Sequence, residues 1–76
     1  MSDLTRFLRT VAELTRVRDE VPLDAIAARL NWSEARVRPI AEHAHDTYLI
    51  EADAELGTGV VSIDGLTPLG RLAALS

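Results

Sequence analysis

Apolar residues recur at helical spacing along the first part of this 76-residue chain. Leu4, Phe7, Leu8, Val11 and Leu14 lie three or four apart, with Ala12 beside them, and form one stripe. Arg6, Arg9, Glu13 and Arg16 fall on the other face, where opposite charges three and four apart support a helix. Ser2 or Asp3 is suited to cap its start, because a short side-chain oxygen accepts from the free N–H groups of a first turn. The pattern predicts that this helix fades over 17–19. Pro22 then suits the first turn of a second helix, with Leu23, Ile26, Ala27 and Leu30 inward. Asn31 follows, a residue that tolerates the left-handed conformation ending many helices. Ser33 offers a new cap, and Val37, Ile40, Ala41, Ala44 and Tyr48 make the inward stripe of a third helix. Pro39 interrupts it, so a kink or a loosened first turn is expected.

Beyond Asp46 the period changes. Tyr48, Leu49 and Ile50, then Val60, Val61, Ser62 and Ile63, are rich in strand formers. Residues 51–59 between them contain Asp53, Gly57 and Gly59 and predict a hairpin with a loose tip, closed by Asp64 and Gly65. Thr67 and Pro68 read as cap and first-turn proline of a short last helix over 67–75, with Leu69, Leu72, Ala73 and Leu75 inward. Its leucines have two readings, ordinary core or the contact of a homodimer. The fold class is mainly α with a small β-hairpin, in a single domain over 1–76.

The middle of the chain carries the most specific pattern. Two helices joined by a tight turn need a small residue where they cross, a turn residue that accepts positive φ, and apolar plugs in the angle between them. Ala27 and Asn31 meet the first two needs; Ile26, Leu30, Trp32, Val37 and Ile40 stand where the plugs belong. Residues 23–46 therefore resemble a helix-turn-helix. With the flanking segments the whole chain resembles a winged helix-turn-helix domain: a three-helix core, a two-stranded wing over 48–64 and a short C-terminal helix. Leu66, Thr67, Pro68, Leu69 and Gly70 are similar to the Leu-Thr-x-x-Gly segment that follows the wing in several bacterial winged-helix regulators. The resemblance implies sequence-specific binding of duplex DNA, in transcriptional regulation or as an accessory factor, with the third helix in the major groove.

On that reading Ser33 and the first-turn N–H groups would hold a phosphate. Arg38 leads as base reader, since a guanidinium can grip guanine bidentately. Arg36 would reach a base or the nearby backbone, and Arg29, with Arg6, Arg9 or Arg16, would hold phosphates.

Charge complicates this picture. Eight basic residues, all arginine, stand against twelve acidic ones, a net charge of −4. Residues 1–38 hold seven arginines and six acidic residues, whereas 39–76 hold Arg71 alone against six. Glu42 and Asp46 fall on the outward ridge of the third helix with Ala35 and Pro39, and the wing offers Glu51, Asp53 and Glu55 with no base. These five carboxylates define the alternative function, a protein–protein interaction module that meets a basic partner with its acidic wing and third-helix ridge.

Other chemistry is poorly supplied. The chain has no cysteine, and His43 and His45 on one helix point about 160° apart, too far for one ion. Gly57, Thr58 and Gly59 lack the helix and lysine of a phosphate loop. Neither a catalytic set, a metal site nor a cofactor is expected. Phe7 and Trp32 are expected in the core. No apolar run spans a membrane and Met1 is not followed by an apolar leader, so a cytoplasmic location is expected.

Overall fold

The computed structural model describes residues 1–75; Ser76, at the end of the expected domain, lies outside them. The described residues form α1 (Asp3–Leu14), β1 (Val21–Pro22), α2 (Leu23–Leu30), α3 (Glu34–Asp46), β2 (Ile50–Glu55), β3 (Gly59–Leu66) and α4 (Pro68–Ala74). They make a small α+β domain in which the helices pack on one another and against one antiparallel sheet of order β1-β3-β2. None of these helices is long and apolar enough to cross a membrane.

The apolar stripe of α1 goes inward as its spacing predicts. Phe7, Leu8 and Val11 are fully buried, against Ile26, Val37, Val60 and Ile63 of the other elements. Full burial of each such side chain contributes about 1.5–3 kcal/mol. Ser2 caps the helix, its Oγ accepting from the Thr5 N–H at 3.1 Å. The helix ends at Leu14, ahead of the fade expected over 17–19, where the Thr15 hydroxyl donates to the Val11 carbonyl at 2.7 Å.

Helices α2 and α3 end in the same way. Asn31 takes the left-handed conformation (φ 59°), and the Trp32 N–H reaches back to the Ala27 carbonyl at 3.0 Å. Tyr48 does likewise (φ 60°), and the Leu49 N–H reaches the Ala44 carbonyl at 2.8 Å. Both are double-bonded left-handed caps that satisfy otherwise free carbonyls. The cap turns Tyr48 out to solvent, so it belongs neither to the inward stripe of α3 nor to a strand. Pro39 lies inside a continuous α3 without ending it. Pro39 and Ala35, whose carbonyl loses its helical donor, are both exposed, so water can take the missing place.

Three expectations for the remainder are corrected. First, a third strand exists: Val21 and Pro22 pair with Ile63 and Ser62. Pro22 ends this edge strand, where its lack of an N–H is harmless, and precedes α2 rather than opening it. Second, the hairpin is longer and its tip tighter than expected, with β2 beginning at Ile50 and Gly57 and Gly59 at positive φ on either side of Thr58. Third, Leu69, Leu72 and Leu75 face outward, 52%, 66% and 79% exposed, and Gly70 and Ala74 face inward. The cause is the closeness of α4 to the end of α3. A Cβ on Gly70 would lie 1.8 Å from the Leu49 carbonyl oxygen, which leaves no room for leucine on that side.

The same junction explains the Leu-Thr-x-x-Gly segment. Thr67 is fully buried; its hydroxyl donates to the Tyr48 carbonyl at 2.6 Å and accepts from the Gly70 N–H at 3.0 Å. Its own N–H donates to the Leu49 carbonyl at 3.1 Å. Threonine and glycine thus tie the strand returning from the hairpin to the end of α3.

Candidate nucleic-acid interface

The first turns of α3 project from the clamp made by Ala27, Asn31 and Trp32. Ser33 caps them, its Oγ accepting from the Arg36 N–H at 3.2 Å, so that oxygen serves the helix first. Ser33, Glu34, Ala35, Arg36 and Pro39 are exposed. Arg36 lies over the half-buried Trp32 ring, 4.0 Å from its centroid, and donates to Asp3 of α1 at 3.1 Å. Trp32 therefore splits its role between core and a platform for a guanidinium. Both charges of the Arg36–Asp3 pair are about half exposed, so solvent weakens their attraction.

Arg38, the expected base reader, turns away. Its guanidinium donates to the carbonyls of Thr58 and Val60 at 3.0 and 3.3 Å and faces Glu34 one turn back at 3.6 Å. One turn further along, Glu42 accepts the Val60 N–H at 2.9 Å. Its carboxylate lies where any side chain on Gly59 would go. Arg38 and Glu42 together seat the hairpin on α3, a contact whose residues lie about twenty apart in the chain and leave no local signal.

Arg29 also has an internal partner, Glu13 of α1, with its Nε at 3.0 Å from that carboxylate. Arg9 donates to the Ala74 carbonyl at 2.8 Å and so closes the end of α4. The Arg6 guanidinium has no partner among the described residues, although the Arg6 carbonyl accepts from the Thr10 hydroxyl at 2.8 Å. Arg16 lines a groove of about 460 Å³ with Glu51, Asp64 and Arg71.

The acidic residues divide. Glu42 is bound to the hairpin, Asp46 is exposed at the end of α3, and Glu51, Asp53 and Glu55 are exposed along β2. An unforeseen group joins the last three. Glu20, Asp53 and Asp64 bring carboxylate oxygens within 4.8 Å of one another on the sheet, and the Ser62 hydroxyl donates to Glu20 at 2.5 Å. Partial desolvation, then Asp53, Glu20 and Glu51, hold the Asp64 carboxyl above the ordinary aspartate range. The pairing of β1 with β3 creates this cluster, and a two-residue strand is too short to show a period. No such group forms around His43 and His45 among the described residues. Comparison with family models, with curated proteins and with solved structures yields no match.

Proposed function

We propose that this chain is a winged helix-turn-helix domain that binds duplex DNA through the first two turns of α3, with Arg36 as its leading residue. The observation that carries this reading is the exposed start of α3, held out by the left-handed turn at Asn31 and bearing a guanidinium already stacked on Trp32. The element order and the β1-β3-β2 sheet support the same fold. Arg38 takes a supporting part by fixing the hairpin beside α3. Ser33 and Arg29 are phosphate contacts reached once their present partners exchange.

The net charge does not forbid this. Helix α1 begins at Asp3, beside Arg36, and its far end adjoins the groove holding Glu51 and Asp64. Twelve helical residues span about 18 Å. That is about twice the screening length of ~8 Å at physiological salt, so Glu51 and Asp64 act weakly at Arg36, whereas Glu55 belongs to the hairpin end that Arg38 holds. Locally, Arg29, Arg36 and Arg38 each face one carboxylate, which leaves that face near neutral. One module therefore binds weakly, and a second copy joined through the exposed leucines of α4 would supply the missing contacts.

The test is a salt titration of binding to mixed genomic duplex fragments. Binding weakens steeply with salt, Arg36→Ala reduces it about tenfold, and Asp3→Asn, which frees Arg36, strengthens it. Absence of binding at low salt, or an unchanged affinity in Arg36→Ala, overturns the proposal.

A further inference from the structure

A second surface, sharing no residue with the start of α3, has its own chemistry. Strand β2 is an edge of the sheet: β3 pairs with one side of it, and no described residue bonds the other. An exposed strand edge is a row of free backbone donors and acceptors, ready to pair with another strand. The register with β3 shifts twice, as the partners of Glu51 and Ala52 pass over Asp64 and those of Asp53 and Ala54 pass over Val61. Both extra residues belong to β3. Strand β2 is thus the regular member and keeps strict alternation, with Glu51, Asp53 and Glu55 on one face and the small Ala52 and Ala54 on the other.

We infer that the free edge of β2 accepts an extended segment of a protein partner carrying Lys or Arg at alternate positions. Carboxylates two residues apart repeat every ~6.7 Å, the same step as alternate side chains of an added strand. Each basic residue then stands across from a carboxylate, the favourable cross-strand pairing. The central one meets Asp53 together with Glu20 and Asp64, whose oxygens lie within 4.8 Å of one another. Backbone bonds supply the attraction, and the alternating charges select the sequence. Charge also rules against a second copy in this place: two β2 edges paired together would set Glu and Asp opposite one another.

The test uses the whole protein and three fluorescein-labelled seven-residue peptides. One alternates Arg and Thr, one has the same composition with its arginines in a block, and one alternates Arg and Pro. The alternating peptide binds at least tenfold more tightly than the other two and slows amide hydrogen exchange within 51–55. Changing Glu51→Gln, Asp53→Asn and Glu55→Gln together weakens it at least tenfold while circular dichroism remains that of the folded protein. Equal binding of the three peptides without protection of β2 reduces the surface to a diffuse acidic patch and overturns the inference. So does failure of every peptide to bind, unchanged affinity in the triple variant, or protection of β2 in the free protein that grows with its concentration.

Discussion

The two halves of the molecule treat charge in opposite ways. In the helical half, Arg29, Arg36 and Arg38 each face one carboxylate, from Glu13, Asp3 and Glu34. On the sheet, Glu51, Asp53 and Asp64 gather with Glu20, just ahead of β1, all of the same sign. Neither arrangement is accounted for by stability. Exposed ion pairs contribute about 0–1 kcal/mol each, and crowded like charges oppose folding. The pairs instead fix where guanidinium groups stand at the start of α3. Arg16 and Arg71 line the groove beside Glu51 and Asp64, yet among the described residues none of the four carboxylates on the sheet is in an ion pair. A contact can be exchanged in the first half, and one is wanting in the second.

The halves meet where Thr67 and Gly70 hold the end of α3, and breaking that junction has the largest expected effect. In Gly70→Ala the new methyl meets the Leu49 carbonyl, a backbone group that cannot swing aside because the Leu49 N–H closes α3 on Ala44. The substitution is expected to destabilise by about 3 kcal/mol, read from urea unfolding followed by circular dichroism. Native stability in this variant would show that α4 can slide without disturbing α3, and the halves would then be independent.

The seat of the hairpin on α3 comes next. Glu42→Ala removes the acceptor of the Val60 N–H, and Arg38→Ala removes the donor to the Thr58 and Val60 carbonyls. Bonds to charged groups contribute about 1.5–3 kcal/mol when buried, and half-exposure lowers the expected loss to about 1 kcal/mol for each. Hydrogen exchange at Val60 rises in both variants, and DNA affinity falls less in Arg38→Ala than in Arg36→Ala. The reverse order would return base reading to Arg38 and make the hairpin contact incidental.

What the chain discloses follows the range of each interaction. The three main helices, the cap at Ser33 and the turn at Asn31 depend on neighbours three or four residues away, and their spacing shows in the sequence. Leu69, Leu72 and Leu75 also show helical spacing, but spacing cannot tell which side lies toward the core. That side is set by how closely α4 approaches Leu49. Tyr48 has the composition of a strand residue and is overruled by the capping bonds around it. Strand β1 is two residues long and exists only through its pairing with β3. For the candidate interface, the exposed face of α3 was legible from its periodicity. The partners of its arginines were not, because Asp3, Glu13 and the Thr58 carbonyl arrive from distant segments.

The smallest expected effect bears on the sheet, and its sign matters more than its size. Partial desolvation, and then repulsion from Asp53, Glu20 and Glu51, raise the Asp64 carboxyl above the ordinary 3.8 in the folded protein, so the folded state holds this proton more tightly than the unfolded chain does. The contribution favouring the fold is complete below the unfolded value and is lost as pH rises through the folded one. Asp64→Asn should therefore stabilise at pH 7, by a few tenths of a kcal/mol because solvent screens so exposed a group. The gain should vanish as pH falls below 3.8 and shrink with added salt. Urea unfolding of both proteins at pH 7 and pH 3.5, with and without salt, measures all three trends. A loss of stability at pH 7 would mean that the carboxylates are held apart by contacts that outweigh their repulsion. The sheet would then resemble the helical half, its charges internally satisfied, and the case for a basic strand along β2 would rest on its free edge alone.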